Sequence, residues 1–449
     1  MRRRLILVLF GWAGCGPSSQ VIEDLRDPET CRECHPDHVR EWSGSMHAYA
    51  SEDPVFRAMN ALGQAETNGE LGDFCVNCHA PLAVKLGLTT DGLDLDDIDD
   101  HLLGVNCVTC HQIEAVEGLH NNPLVFDFRA TMGGPIEDPQ QSTAHQSRYS
   151  SFADGATRDH TDACGSCHDI VTPLGAHIER TYAEWQSSVY VNPEFGLGCA
   201  RCHMPGRDGR VAQVDGAPVR RIHDHRMPGV DIAVTPFPER EDQRAAVQEF
   251  LDDTLVASLC VQPPEGPGSS TLAVVQLDNV AAGHAFPSGA TSERRVWVEI
   301  TAYADGEVAW STGRIDPDEP VEKVEDPVRW DLHSAMADVN GAFTHEFWEA
   351  ASIDESGLLL PHTTLDPTDP AYIETVQSRQ FPIPVTADRV TMAVHIRPMP
   401  LDFLAELVEK ADLDPAIIEA MPTFTLEPTQ LEWTADRPLT DGSLSCVTR

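Results

Sequence analysis

The chain is poor in positive charge, with 31 Lys and Arg set against 72 Asp and Glu in 449 residues, a formal net charge of −41. Proteins that bind nucleic acid neutralise phosphates with clustered basic side chains. The acidic excess here is shared almost evenly by the two halves of the chain and argues against such a partner. The chain also lacks an apolar run of the roughly 20 residues needed to span a bilayer; the run in MRRRLILVLFGWAGC is far shorter. A third scarcity is local. Residues 31–235 contain few long periodic apolar stretches and many Gly, Pro, Asp and His. Side chains alone do not supply a core there, so something else has to.

What is present is cysteine and histidine. The stretch CRECHPDHVREWSGSMH, residues 31–47, opens with C-x-x-C-H at Cys31, Cys34 and His35. The pattern recurs at Cys75/Cys78/His79, Cys107/Cys110/His111, Cys164/Cys167/His168 and Cys199/Cys202/His203. In this pattern two thiols form thioethers with the vinyl groups of a haem and the following histidine is the proximal iron ligand. Chance would give on the order of 0.02 matches in a chain of this composition. Zinc sites and redox dithiols also use C-x-x-C, but neither requires a histidine directly after it. The expected cofactor is therefore haem c, five per chain, and five porphyrins supply the missing apolar bulk. Short helices and long connections are the expected packing.

The N-terminus agrees with haem attachment outside the cytoplasm. A charged start, a short apolar run and a small-residue approach to Cys15 read as an export signal over residues 1–14. Its ending, WAGC, resembles a bacterial lipoprotein signal, with Cys15 lipidated and residues 15–30 as a tether. Trp12 departs from that pattern, which leaves ordinary cleavage into the periplasm open. The expected location is the periplasm or, for a lipoprotein, the outer membrane or cell surface, with the membrane touched only through the lipid. Of thirteen cysteines, this leaves Cys260 and Cys446, which in an oxidising compartment are expected to form a disulfide.

Composition divides the rest into two domains: a mainly helical and irregular haem domain over 31–235, and a β-rich domain over 261–449. Between them, AAVQEFLDDTLVASL (245–259) places Val247, Leu251 and Leu255 at helical spacing, with Phe250 and Leu259 alongside, which predicts a helical connector over 236–260. TLAVVQLDNV, RRVWVEITAYA and VTMAVHIRP alternate and are rich in β-branched residues. With Pro and Gly clusters between them, they predict a mostly antiparallel sandwich. One late helix, DFLAELVEKA, interrupts it.

The order C-x-x-C-H, EWSGSMH, GVNCVTCHQI, STAH before DACGSCHD, TYAEWQSSVY leading to CARCHMP, RIHDHRMPGVD and NVAAGHAFPSG resembles bacterial multihaem cytochromes c. These are related to the tetrahaem electron carrier of ammonia oxidation and, more distantly, to hydroxylamine oxidoreductase. The resemblance implies distal iron ligands at His47, His145 and one of His223 or His225. In an extended HDH segment those two side chains point to opposite sides, and His225 is preferred. His284, in a Gly- and Pro-rich loop between two predicted strands, is a further candidate that would bring the β-domain onto a haem edge; His120 is a weaker one. His38, His101, His333, His345, His362 and His395 read as surface or hydrogen-bonding residues.

Two functions are expected from this pattern. One is electron transfer through closely packed, mostly bis-histidine haems between redox partner proteins. The other is oxidoreductase chemistry on a small nitrogen or sulfur species, such as nitrite or hydroxylamine, at one iron lacking a distal ligand. EWSGSMH and EWQSSVY share E-W-x-x-S-x, but Tyr190 stands where the first has His47. If the repeat is structural, Tyr190 marks the open iron, with His177 or Arg201 nearby. No C-x-x-C-K is present, so a lysine-ligated catalytic haem is not expected. The β-domain is either a docking module or a lid over haem edges.

Overall fold

The computed structural model describes residues 23–142, 144–192 and 194–436, and the backbone of 445–448. The export signal and Cys15 lie outside the described residues. Among those described, no helix is long and apolar enough to cross a membrane.

The first half is built from short helices that begin where the sequence offers caps. Pro36–Ser43 (α1) and Pro54–Glu66 (α2) both start with proline, whose missing N–H costs nothing in a first turn, and the Asp53 carboxylate accepts from the Val55 amide at the start of α2. Arg158–Gly165 (α3) is capped by Thr157, and Thr181–Ser187 (α4) follows two short hairpin strands. Three of the C-x-x-C-H motifs sit on single-turn helices, Val76–His79, Cys107–His111 and Cys199–His203. The other two lie at the C-terminal ends of Pro28–Arg32 and α3.

The predicted connector is a helix only in part. Arg240–Asp252 (α5) ends at the Asp252-Asp253 pair, and Leu255–Gln262 forms strand β1. The helical spacing continues through Leu255 and Leu259, but this segment is paired with a strand on either side, and tertiary partners override the period. The other strands of the two large sheets are Thr271–Asn279 (β2), Arg295–Ala304 (β3), Glu307–Thr312 (β4), Trp330–Leu332 (β5), Gln377–Ile383 (β6), Arg389–Arg397 (β7), Phe424–Thr434 (β8) and Ser445–Thr448 (β9). One sheet has the order β6-β2-β1-β9 and the other β4-β3-β7-β8, with β5 on β3. Every pairing in both sheets is antiparallel. A single core of inward-facing residues, among them Leu259, Val275, Leu277, Val298, Ile300, Val394 and Phe424, joins the two sheets.

Cys260 is disulfide-bonded, and the register of β1 with β9 sets Cys446 directly across from it. Cα atoms opposite each other in an antiparallel pair are about 4.5–5.5 Å apart, within the span a disulfide bridges.

The two halves share a core. The late helix Leu401–Lys410 (α6) turns Leu404 and Leu407 onto Val55, Ala58 and Leu62 of α2, with Trp348 in the same cluster. The Trp348 indole donates to Glu66 at 3.0 Å. A second seam packs Ala176 and Ile178 on Met336 and Ala350.

Candidate functional site

All ten motif cysteines and all five motif histidines face one continuous cavity of about 1990 Å³. A pocket for a single small molecule is roughly 300–1,000 Å³, so this space is of a different order. The sulfur atoms are those that would form thioethers with haem. Burial pushes the Cys75 thiol up to about 12 and the Cys110 thiol up to about 11. An uncharged thioether suits this apolar wall.

The histidines are set for iron. His79, His111 and His203 each donate their Nδ1 hydrogen to a backbone carbonyl, of Ala50 at 2.8 Å, Gly133 at 2.6 Å and Pro228 at 2.8 Å. That bond fixes the tautomer and leaves Nε2 bare toward the cavity. Burial first, and neighbouring imidazoles second, lower His47 and His203 to about 4 and His225 to about 3. They stay neutral, the form that binds a metal.

Four motif histidines face a second imidazole. Ring centroids are 6.3 Å apart for His35 and His145, 6.3 Å for His111 and His225, 6.2 Å for His168 and His47, and 6.4 Å for His203 and His284. Two metal–imidazole bonds of about 2.0–2.1 Å, extended to the ring centres, put two such rings roughly 6.3 Å apart across one ion. The donors and their spacing fit haem c with paired axial imidazoles. His79 is different. Its ring stacks on Phe56 at 4.1 Å, and among the described residues no second imidazole faces it.

Several expectations from sequence are corrected here. His120 and His177 do not line the cavity; they lie together beside Asp169, where His120 Nδ1 bonds the carboxylate at 3.0 Å. Arg201 is also outside the cavity. His223 lines it, bonded through Nδ1 to the Met204 carbonyl at 2.8 Å, but its ring is not opposite a motif histidine. His38, read as a surface residue, lines the cavity 4.8 Å from the His225 ring. His160 was missed. Its Nδ1 donates to the Phe152 carbonyl at 2.9 Å, its Nε2 is buried without a partner, and it faces the cavity. The signal was available, because on α3 it lies four residues before Cys164 and shares its face.

The E-W-x-x-S repeat is structural, and Tyr190 lines the cavity with its hydroxyl engaged. In the first copy the Trp42 indole donates to the Val105 carbonyl at 2.8 Å, two residues before Cys107. In the second, Trp185 donates to the Leu197 carbonyl at 2.8 Å, two residues before Cys199. Glu41 accepts from the backbone amide of His225 at 3.2 Å and from Arg207 at 2.8 Å. Glu184 accepts from the amide of Ala285, beside His284, at 3.1 Å and from Ser288 at 2.7 Å. Each copy thus ties down one attachment motif and the segment bearing the imidazole opposite that motif's histidine. At the seventh position His47 faces His168, whereas Tyr190 donates to the Val280 carbonyl at 2.6 Å and steadies the loop that carries His284.

Motif cysteines neighbour one another across the cavity: Cys31 interacts with Cys107, Cys78 with Cys167, and Cys164 with Cys199. The Val105 amide donates to the His47 carbonyl at 2.8 Å, which ties the segment bearing the imidazole opposite the fourth motif to the approach to the third.

Residues 30–112 match the family described as cytochrome c554 and c-prime. Among solved structures, the chain is similar to a penta-haem cytochrome c552 from Thermochromatium tepidum, at 22% identity and a TM-score of 0.62, over 94% of this chain and 98% of that one. No curated protein matches. The first likeness covers the segment with the first three C-x-x-C-H motifs, and the second is a likeness of overall fold.

Proposed function

We propose that the chain is an exported c-type cytochrome with five covalent haems that passes single electrons among them and exchanges them with redox partner proteins. The observation that carries this reading is the set of four imidazole pairs at 6.2–6.4 Å. Bound between two strong nitrogen ligands, an iron is closed to substrate and suited to one-electron exchange. The chain's own part is to hold the imidazoles neutral, aim Nε2, and exclude water with the β-domain loop that brings in His284. Contacts between attachment sulfurs support an order in which the first site neighbours the third, and the fourth neighbours both the second and the fifth.

The acidic surface favours a basic partner, whose association slows as salt screens the attraction. Export rests on the N-terminal signal, and anchoring on Cys15. The pairing of Cys260 with Cys446 closes the β-domain's edge strand.

One observation favours a second reading at a single site. Among the described residues His79 has no facing imidazole, and its iron would keep a free position for nitrite, hydroxylamine or a related small molecule. Mixing the fully reduced protein anaerobically with nitrite or hydroxylamine separates the two. The electron-carrier reading expects five electrons to be stored per chain and none lost to either compound within seconds. Rapid reoxidation that product analysis ties to substrate turnover would put the second reading first.

A further inference from the structure

Outside the haem cavity, three donors from separate segments converge. His120 lies in the loop after the strand Ile113–Val116, Asp169 directly follows the iron ligand His168, and His177 is on the short strand His177–Ile178. One ligand atom from each lies within 4.8 Å of the others. His120 Nδ1 is 3.0 Å from Asp169 Oδ1, and the two imidazoles meet edge to face with centroids 5.1 Å apart. The carboxylate is buried, His120 is half-buried and His177 is exposed, so the cluster has a charged floor and an open mouth.

The loop is held in place at some cost. Asn121 and Asn122 both adopt positive φ, 57° and 56°, a region that Asn enters more readily than most residues but not freely. The strained pair is pinned to the fourth C-x-x-C-H motif and the segment that follows it. The Asn121 side chain donates to the Val171 carbonyl at 2.9 Å and accepts from the Val171 amide at 3.0 Å, and the Asn122 amide donates to the Ser166 carbonyl at 2.7 Å. The same loop is bonded to Asn77, inside the second attachment motif, whose side-chain amide donates to the Asn121 carbonyl at 3.0 Å; these bonds brace two attachment motifs and also set His120 beside Asp169. Arg180 is the competing partner: its Nε forms an ion pair with the carboxylate at 3.7 Å, too long for a hydrogen bond, and makes no other hydrogen bond.

We propose that His120, Asp169 and His177 form a binding site for one divalent first-row transition ion. Two imidazoles and one carboxylate suit zinc, copper or ferrous iron, and not calcium or magnesium, which take oxygen donors. The exposed side leaves room for a water or for a fourth ligand, and Glu355 is within electrostatic reach of both Asp169 and His177. A bound ion would fasten the 170–178 hairpin to the His120 loop. That hairpin also meets the β-domain, where Thr172 donates to the Ala350 carbonyl at 2.7 Å, so the ion would stiffen a seam between the two halves.

The test is calorimetric titration of the chelator-treated holoprotein with zinc alone, compared with His177→Gln and His120→Gln. His177 is exposed and neither histidine faces the haem cavity, so both variants should keep the native haem spectrum, and this is checked first. The expected result is one equivalent of zinc bound by the native chain and lost, or weakened at least about tenfold, in both variants. Stoichiometry and affinity unchanged by either substitution, or no saturable binding to the native chain, would overturn the proposal.

Discussion

At the scale of single residues, the side chains that matter most are those that hold a ligand rather than those that are one. Glu184 receives the Ala285 amide and the Ser288 hydroxyl, and burial pushes its carboxyl up to about 7, the two donors acting in the opposite direction. Glu184→Ala removes both bonds and is expected to cost about 2 kcal/mol, to lower the thermal midpoint, and to perturb only the haem between His203 and His284. Spectra in which all haems shift alike, or none does, would count against this positioning role. A second residue-scale effect lies outside the cavity. His345 donates to Glu293 at 2.9 Å and stacks on Phe403. Burial lowers its pKa, but the bond and charge of Glu293 outweigh that and raise it above the ordinary value. A raised histidine pKa stabilises the fold fully below the unfolded value and loses that contribution as pH climbs through the folded one. The stability deficit of His345→Gln, about 1 kcal/mol after screening, should therefore be present near about pH 6 and vanish near about pH 9. Denaturation midpoints at the two pH values check it.

At the scale of elements, the sequence was most legible where a motif carries its own chemistry. The five C-x-x-C-H sites, the strands at 271–279, 295–304 and 389–397, and the late helix all stand where spacing and alternation put them. The 245–259 segment was misread because its apolar spacing suits a helix throughout, and only the partner strands β2 and β9 decide where the helix stops. Facing imidazoles are harder still, since His35 meets His145 and His168 meets His47 across long stretches of chain that no local pattern encodes. His160 and His38 show the same limit in reverse, as a lone histidine has no sequence mark of facing a cavity. Packing between elements makes its own prediction. A Cβ on Gly63 of α2 would sit 2.6 Å from Leu71 Cδ2 and 2.8 Å from Trp348 Cε3. Overpacking of about 1–3 kcal/mol exceeds the helix-propensity gain of about 1 kcal/mol, so Gly63→Ala should lower the melting temperature. A melting temperature unchanged or raised would mean that the α2 to Trp348 seam is loose.

For the whole molecule, the β-domain forms part of the wall of the cavity. It supplies His284, it receives α4 through Glu184 and Thr181, whose hydroxyl meets that of Ser288 at 2.7 Å, and its helix α6 shares a core with α2. The bidentate pair of Arg294 with Asp231, at 2.6 and 2.7 Å, adds a charged clasp at the same boundary. The account's central claim is that this assembly closes four irons between imidazoles and leaves the iron at His79 with one. Low-temperature electron paramagnetic resonance of the fully oxidised protein, with haem content measured on the same sample, tests it most directly. The predicted spectrum has low-spin ferric signals from four haems and a high-spin signal from the fifth. Five low-spin haems would contradict the assignment of His79 as the open site, and a high-spin signal from two or more would contradict the imidazole pairs.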